Sequence, residues 1–348
     1  MTKVRQSNIE LLRIISMLLV LIIHANFVSI GCPNIDDIEA SPTSSFLRIL
    51  VQSLSLVCVN LFVLISGYFG INPKLKSISN LIFQIVFFRI IALLFILGIG
   101  ISHISMSQIS CIIPGCGDWF VMSYLLLILF SPLINSYISN VKSKQLLIYI
   151  IIFYAIQSFF GWFAIIKGRE FHDGYSAISM IGLYLIGRYL NLYGSNLRKS
   201  PTKYLIGGYI LTSTLSAILM FFALKFISHP SLLDYTSKLF GAYLSPFVVL
   251  SSVCLFLFFL KLDFNSKFIN WIAVSTFSVY LIHCNPYTFS YYCYFCANLF
   301  KQYNNLHYLV LITLFIISVF VIAILIDKIR ILAWNAIVKL IQYKFPQF

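Results

Sequence analysis

Ten runs of about twenty apolar residues lie along this chain, and they constrain its fold more than any other feature. A bilayer core of ~30 Å takes about 20 apolar helical residues to cross. The runs fall at approximately 9–30, 46–69, 80–102, 120–138, 146–166, 175–194, 204–225, 239–260, 270–289 and 307–326. They are continuously apolar, whereas the strands of a membrane barrel alternate over about 10 residues. Composition agrees: only 10 % of the 348 residues are charged and 60 % are hydrophobic, against about a quarter charged in soluble domains. The expectation is an all-α, polytopic helical membrane protein with about ten transmembrane helices. Disordered, coiled-coil and small disulfide-stapled classes are excluded. The first run lacks a small-residue cleavage site and reads as a retained span rather than a signal peptide.

The loops carry the orientation signal. With the N-terminus on the cytoplasmic side, Lys3, Arg5, Lys74, Lys76, Lys142, Lys144, Arg198, Lys199, Lys203, Lys261, Lys267, Lys328, Arg330, Lys339 and Lys344 all fall inside. Only Lys167, Arg169, Lys225, Lys238 and Lys301 fall outside. Inside loops of membrane proteins are enriched in Lys and Arg, so both termini are expected to be cytoplasmic. The chain divides into a membrane domain, 1–326, and a basic cytoplasmic tail, 327–348. The formal charge of +14 does not point to nucleic acid, because the cations are scattered in short loops rather than gathered on one patch.

An ionisable residue inside a span is costly and is a functional candidate. The first span carries Glu10, Arg13 and His24. Arg13 and His24 are eleven residues apart, which is three turns plus about 20°, so they share a face about 16 Å apart along the axis. Glu10 lies within about 40° of His24 in projection and is an i,i+3 neighbour of Arg13. A His at this position is suited to general-base work, and Arg is suited to holding a phosphate. The competing structural reading has Arg13 snorkelling to the interface and His24 bonded to a neighbouring helix.

Three further clusters stand out. Asn60 to Phe69 ends in Ser66, Gly67 and Tyr68, and its small residues suit close helix packing. Asp118, Trp119, Phe120 and Tyr124 open the fourth span, either as interfacial anchors or as a surface on which a sugar stacks. Thr276, Tyr280 and His283 share the ninth span, where a second His could line the cavity of His24. Arg188 lies near the inner end of the sixth span. The eight cysteines permit a disulfide among Cys32, Cys111, Cys116, Cys293 and Cys296, in or near outer loops. Their connectivity is not readable. Cys293 and Cys296 lack a second ligand pair at zinc spacing, and no metal is assigned.

Arg13 with ten residues before His24, the phrase Phe62-Val-Leu-Ile-Ser66-Gly67-Tyr68-Phe69, Trp119-Phe120, and Tyr280-Leu-Ile-His283 together resemble the membrane acyltransferase-3 family. The resemblance runs through the whole chain in span number and order. Glu10 stands where many relatives carry Asp, and the appended extracytoplasmic transferase domain that some relatives carry is not expected here.

The resemblance implies transfer of an acyl group, most often acetyl, from cytoplasmic acyl-CoA to a hydroxyl of an extracytoplasmic surface polysaccharide or glycolipid. It implies a catalytic His24 and a functional Arg13, and Glu10 joins them in the expected catalytic set as the i,i+3 partner of Arg13. The acyl-CoA donor, a substrate rather than a bound cofactor, would meet Arg13, Lys74, Lys76 and Arg188. The acceptor would meet Ser66, Tyr68, Trp119, Tyr124 and His283. The expected location is a bacterial cell membrane. The alternatives are a transporter or flippase for a glycan or lipid-linked sugar, and a structural member of a glycan-synthesis complex. Sequences for ATP binding, dinucleotide binding and zinc proteolysis are absent.

Overall fold

The computed structural model describes residues 5–98, 109–113, 118–160, 172–303 and 305–344. Every regular element among them is helical. Helix α1 (Ser7–Ile23) runs into a π-helical turn at His24–Val28. There follow α2 (Ile35–Ala40), α3 (Pro42–Ser55), α4 (Val57–Phe69), α5 (Leu75–Gly98), α6 (Trp119–Ser139), α7 (Ser143–Ser158) and α8 (Ala177–Leu192). The second half holds α9 (Ser195–Lys199), α10 (Thr202–Phe226), α11 (Pro230–Gly241), α12 (Pro246–Leu260), α13 (Lys267–Ala273), α14 (Thr276–His283), α15 (Phe289–Gln302) and α16 (Asn305–Lys344).

Seven segments among the described residues are long and apolar enough to cross a membrane, rather than the ten read from sequence: Ser7–Val28, Pro42–Phe69, Leu75–Gly98, Trp119–Ser139, Thr202–Phe226, Pro230–Leu260 and Leu306–Tyr343. Three expected spans account for the difference. The fifth is represented by α7, 16 residues long, and its end at 161–166 lies outside the described residues. The sixth is α8, also 16 residues, or about 24 Å at the helical rise, short of a ~30 Å core. The ninth is broken at Val274 and Ser275 into α13 and α14. Hydropathy averages over such a break, so an apolar run does not reveal it. The residues 99–102 of the third expected span, together with Lys3, His103, Cys116, Lys167 and Arg169, also lie outside the described residues.

Helix α1 is the hub, packing against α3, α4, α12, α13, α14 and α16. It is tied at its start by polar contacts. Asn8 Nδ2 donates to the Phe259 carbonyl at 3.0 Å, and the Ser7 hydroxyl meets Asn270 Oδ1 at 3.1 Å. In hydrocarbon an unpaired polar group has no water to turn to, so these bonds set where α1 sits against α12 and α13.

The second feature is the crossing of α4 and α8. A Cβ at Gly67 would lie 2.4 Å from the Tyr184 carbonyl oxygen, and one at Gly187 would lie 2.6 Å from the Leu64 carbonyl oxygen. Each helix thus brings a glycine to the point of contact, so backbone meets backbone. The close-packing reading of the Ser66-Gly67 phrase holds for Gly67.

Ion pairs join distant parts of the chain. The guanidinium of Arg89 on α5 is buried and pairs with buried Asp118, the residue before α6. Arg89 also donates to the carbonyls of Cys111 and Ile113. Cys111 is disulfide-bonded, whereas Cys32, Cys293 and Cys296 are free. Near the opposite end of α5, Gln84 Nε2 donates to buried Asp327 at 3.1 Å, and Arg330 bonds both Asp327 and Asn80. Asp327 and Arg330 therefore pack against α5, and α16 continues unbroken through the junction at 326. The outer side of α16 exposes Leu309, Val310, Leu314, Ile317 and Val321, a row suited to lipid.

Two outcomes follow for stability. Gly187→Ala is expected to lose ~1–3 kcal/mol by overpacking, read as a lower melting temperature of the detergent-solubilised protein. An unchanged melt would mean that α4 and α8 can part without cost. Arg89→Met strands a buried carboxylate and is expected to cost about 3–5 kcal/mol. The double variant Arg89→Met/Asp118→Leu should regain most of it, since both charges are then gone. If the single variant melts with the wild type, this pair does not hold the α5–α6 end of the bundle.

Candidate functional site

A cavity of ≈ 220 Å³ sits where α1 ends. Met17, Val20 and His24 reach it from α1, Val59 and Phe62 from α4, and Trp119 and Phe120 from α6. Phe277, Tyr280 and Cys284 close it from the broken ninth run. Residues 13, 17, 20 and 24 follow helical spacing, so Arg13 stands one turn before the cavity-lining stripe on the same face. The α-helix stays regular up to Ile23, and the sequence-based alignment of Arg13 with His24 therefore carries over. The π turn begins at His24 itself. Such turns are rare and frequently mark functional sites. Here the Ser29 hydroxyl donates to the His24 carbonyl at 2.5 Å, which gives a carbonyl at the widened turn a partner.

His24 does not face the cavity alone. Its Nδ1 lies 2.9 Å from Nε2 of His283, and the His283 Nδ1 lies 2.6 Å from the Val279 carbonyl. That carbonyl can only accept, so His283 carries its proton on Nδ1 and presents a lone pair on Nε2. His24 Nδ1–H then donates to that lone pair. The remaining lone pair of His24 is on Nε2, which has no hydrogen-bond partner among the described residues. The neutral pair thus places one unprotonated imidazole nitrogen on a residue that lines the cavity. A ring nitrogen of this kind can take a proton from a hydroxyl.

The pair is packed as well as bonded. Phe289 meets the His24 ring edge-on at 5.2 Å, and Tyr292 lies 5.4 Å from the His283 ring. The Tyr292 hydroxyl donates to the Leu21 carbonyl at 2.9 Å, which ties α15 to α1 one turn before His24. Cys284 Sγ lies 3.3 Å from His24 Nδ1 and 3.2 Å from His283 Nε2.

The other sequence-derived residues separate into two groups. Trp119 lines the cavity with Tyr175 and Tyr243 around it, at ring separations of 4.6 and 6.0 Å. The Ser66 hydroxyl meets the Tyr124 hydroxyl at 3.0 Å, and Tyr124 stacks on cavity-lining Phe120 at 5.8 Å. These two extend the aromatic wall by one turn. Glu10 pairs with Arg13 at 3.5 Å and with Arg5 at 3.6 Å. It is fourteen residues from His24, about 21 Å along the axis, so it serves Arg13 and does not touch the imidazole.

The remaining cations gather away from the cavity. Arg188 lines a second pocket with Gly70, Pro73, Pro132 and Asn135, and its Nε is buried without a hydrogen-bond partner. Gly70, at φ 75°, approaches the Arg188 guanidinium closely. Lys74 and Lys76 are exposed where α5 begins, immediately after Pro73. Tyr68 accepts a hydrogen bond from Arg198 at 2.9 Å, placing it apart from His24. Arg198 was read from sequence only as a loop cation. Sequence reasoning also missed Cys284 as a neighbour of both imidazoles. Its adjacency to His283 was the available signal.

The comparisons with known proteins bear on the whole chain. No curated protein and no solved structure matches it. The model of an acyltransferase domain, acyltransferase-3, matches residues 6–328. The match covers α1 with Arg13 and His24, the α4 phrase, the α6 opening and the ninth run with His283. The chain therefore belongs to the acyltransferase-3 family.

Proposed function

We propose that this protein moves an acyl group, acetyl above all, from cytoplasmic acyl-CoA to a hydroxyl of a surface polysaccharide or glycolipid beyond a bacterial cytoplasmic membrane. The observation that carries the reading is the chain of contacts from the Val279 carbonyl through His283 to His24, which leaves a basic nitrogen on a cavity-lining residue. Family membership supplies acyl transfer, and the unpaired nitrogen supplies the base that a hydroxyl acceptor needs.

In this reading the donor phosphates rest at the N-terminal end of α1, on Arg13 with Arg188, Lys74 and Lys76. Both termini are cytoplasmic. Glu10 orients Arg13. The thioester then reaches along the α1 face toward His24. The acceptor sugar enters from the other side and stacks on Trp119, with Ser66 and Tyr124 bordering the aromatic wall. His24 Nε2 takes the proton as the hydroxyl oxygen attacks the thioester carbonyl. The carbon–sulfur bond breaks as the ester forms, and the imidazolium returns the proton to the departing CoA thiolate. His283 acts through His24 by fixing its tautomer. It brings no charge of its own, unlike the carboxylate behind the His of a serine hydrolase.

His24→Ala should reduce turnover by about 10²–10⁴-fold, the usual contribution of a general base. The gene would be deleted in its host and complemented with wild type or the variant. Ester signals on the purified surface glycan would be read by proton NMR, with both proteins matched for membrane level. Full acylation by the variant would sink the reading, and loss of the glycan itself from the surface would favour the flippase alternative. His283→Ala should lower kcat by about 10-fold or more with little change in KM, because it frees the tautomer without touching either substrate. A change confined to KM would make His283 an acceptor contact instead.

A further inference from the structure

Cys284 has no part in that chemistry, yet its sulfur touches both imidazole nitrogens of the pair. Nδ1 of His24, Nε2 of His283 and Sγ of Cys284 lie 2.9, 3.2 and 3.3 Å from one another. The three form a convergent group of potential metal ligands. In a tetrahedral zinc site with Zn–N ~2.05 Å and Zn–S ~2.3 Å, ligand atoms are ~3.3–3.6 Å apart. The three separations fall short of these by a few tenths of an ångström, and a tilt of the two rings would turn both nitrogens toward a shared ion.

Two further features suit a metal. The His283 Nδ1–H is committed to the Val279 carbonyl, the outer-shell bond that fixes tautomer and ring plane in metal-binding histidines. His24 and Cys284 both line the cavity, so a fourth coordination position opens on it. Two imidazoles and a thiolate form a donor set that favours Zn²⁺ over Mg²⁺ or Ca²⁺.

We propose that His24, His283 and Cys284 form a Zn²⁺ site whose occupancy switches the His24 base off. The chemistry requires this exclusivity. To bind through Nδ1, His24 moves its proton from Nδ1 to Nε2, so the cavity meets an N–H instead of a lone pair. Cys284 releases one proton to solvent as its thiol becomes the thiolate ligand. The metal and the His24–His283 hydrogen bond therefore exclude each other. The switching half rests on the proposed role of His24 as the base, whereas the binding half does not.

The two halves are tested separately on the full chain, purified in detergent and stripped with a chelator. Co²⁺ added alone, as the spectroscopic probe for Zn²⁺, should bind one per chain and give a thiolate-to-metal charge-transfer band with the visible bands of a tetrahedral ion. Cys284→Ser should lose the charge-transfer band and weaken binding by at least about 10-fold. Cys293→Ser/Cys296→Ser, which removes the other closely spaced thiols, should keep both. His24→Ala gives a second ligand deletion that leaves the thiol in place, and it should weaken binding too. Absence of one-to-one binding, or a band that survives Cys284→Ser, overturns the site.

Transfer is then followed by mass spectrometry of the acylated acceptor. Zn²⁺ should inhibit the wild type reversibly, and the chelator should restore the rate. Cys284→Ser, compared with its own metal-free rate, should need at least about 10-fold more Zn²⁺. One-to-one binding with an unchanged rate overturns the switch and counts against His24 as the base, while the metal site stands.

Discussion

A polar side chain surrounded by hydrocarbon must find its partner within the protein, and the arrangement of this bundle follows from that constraint. Helix α1 is held at its start by Asn8 and Ser7 on α12 and α13. Just past its end, Asn26 in the π turn donates to the Arg48 carbonyl, and the Arg48 Nε donates back to Asn26. Between these anchors its apolar face packs into the main core. The imidazole of His24 is thus delivered by a rod fixed at both ends. Binding and catalytic groups need that rigidity, since small misplacements of a reacting group are expensive.

The ninth apolar run reaches the site by breaking. As one straight helix it would carry His283 on a single continuous face. The break at Val274 and Ser275 starts a new short helix, α14, which ends at His283. Its residues 277 and 280, and Cys284 just past its end, line the cavity while His283 turns toward His24. Ser278 anchors this helix by donating to the Ala323 carbonyl of α16 at 3.0 Å. The Asn285 side chain, just beyond it, donates to the Phe88 carbonyl of α5. Irregular backbone within a membrane is tolerated where it is buried in protein, and Ser275 at the break is fully buried.

What was legible in the sequence is what local periodicity encodes. The shared face of Arg13 and His24 depends only on helical pitch, and α1 stays regular long enough to keep it. The pairing of Glu10 with Arg13 needs only i,i+3 spacing. The close approach at Gly67 is a property of a small residue in an apolar helix. The unread features join residues far apart in the chain. His24 and His283 are separated by 259 positions, and no pattern within either run announces the other. Arg89 and Asp118 lie on separate elements, and neither position announces the other. Tyr68, grouped with Ser66 by proximity in sequence, turns to Arg198 instead, because residues two apart on a helix point about 160° apart.

The family match and the geometry answer different questions. Membership rests on the chain as a whole and names acyl transfer. The hydrogen-bond order beside the cavity rests on a few atoms and concerns which ring nitrogens carry protons. With the Val279 carbonyl as terminal acceptor, every proton in the chain of contacts is assigned, and the lone pair emerges on the side of His24 away from His283. Reversing the order would require a donor where the Val279 carbonyl oxygen stands, and that oxygen can only accept. The unprotonated nitrogen of His24 is therefore set by a main-chain carbonyl of α14, a group that no side-chain substitution at position 279 removes.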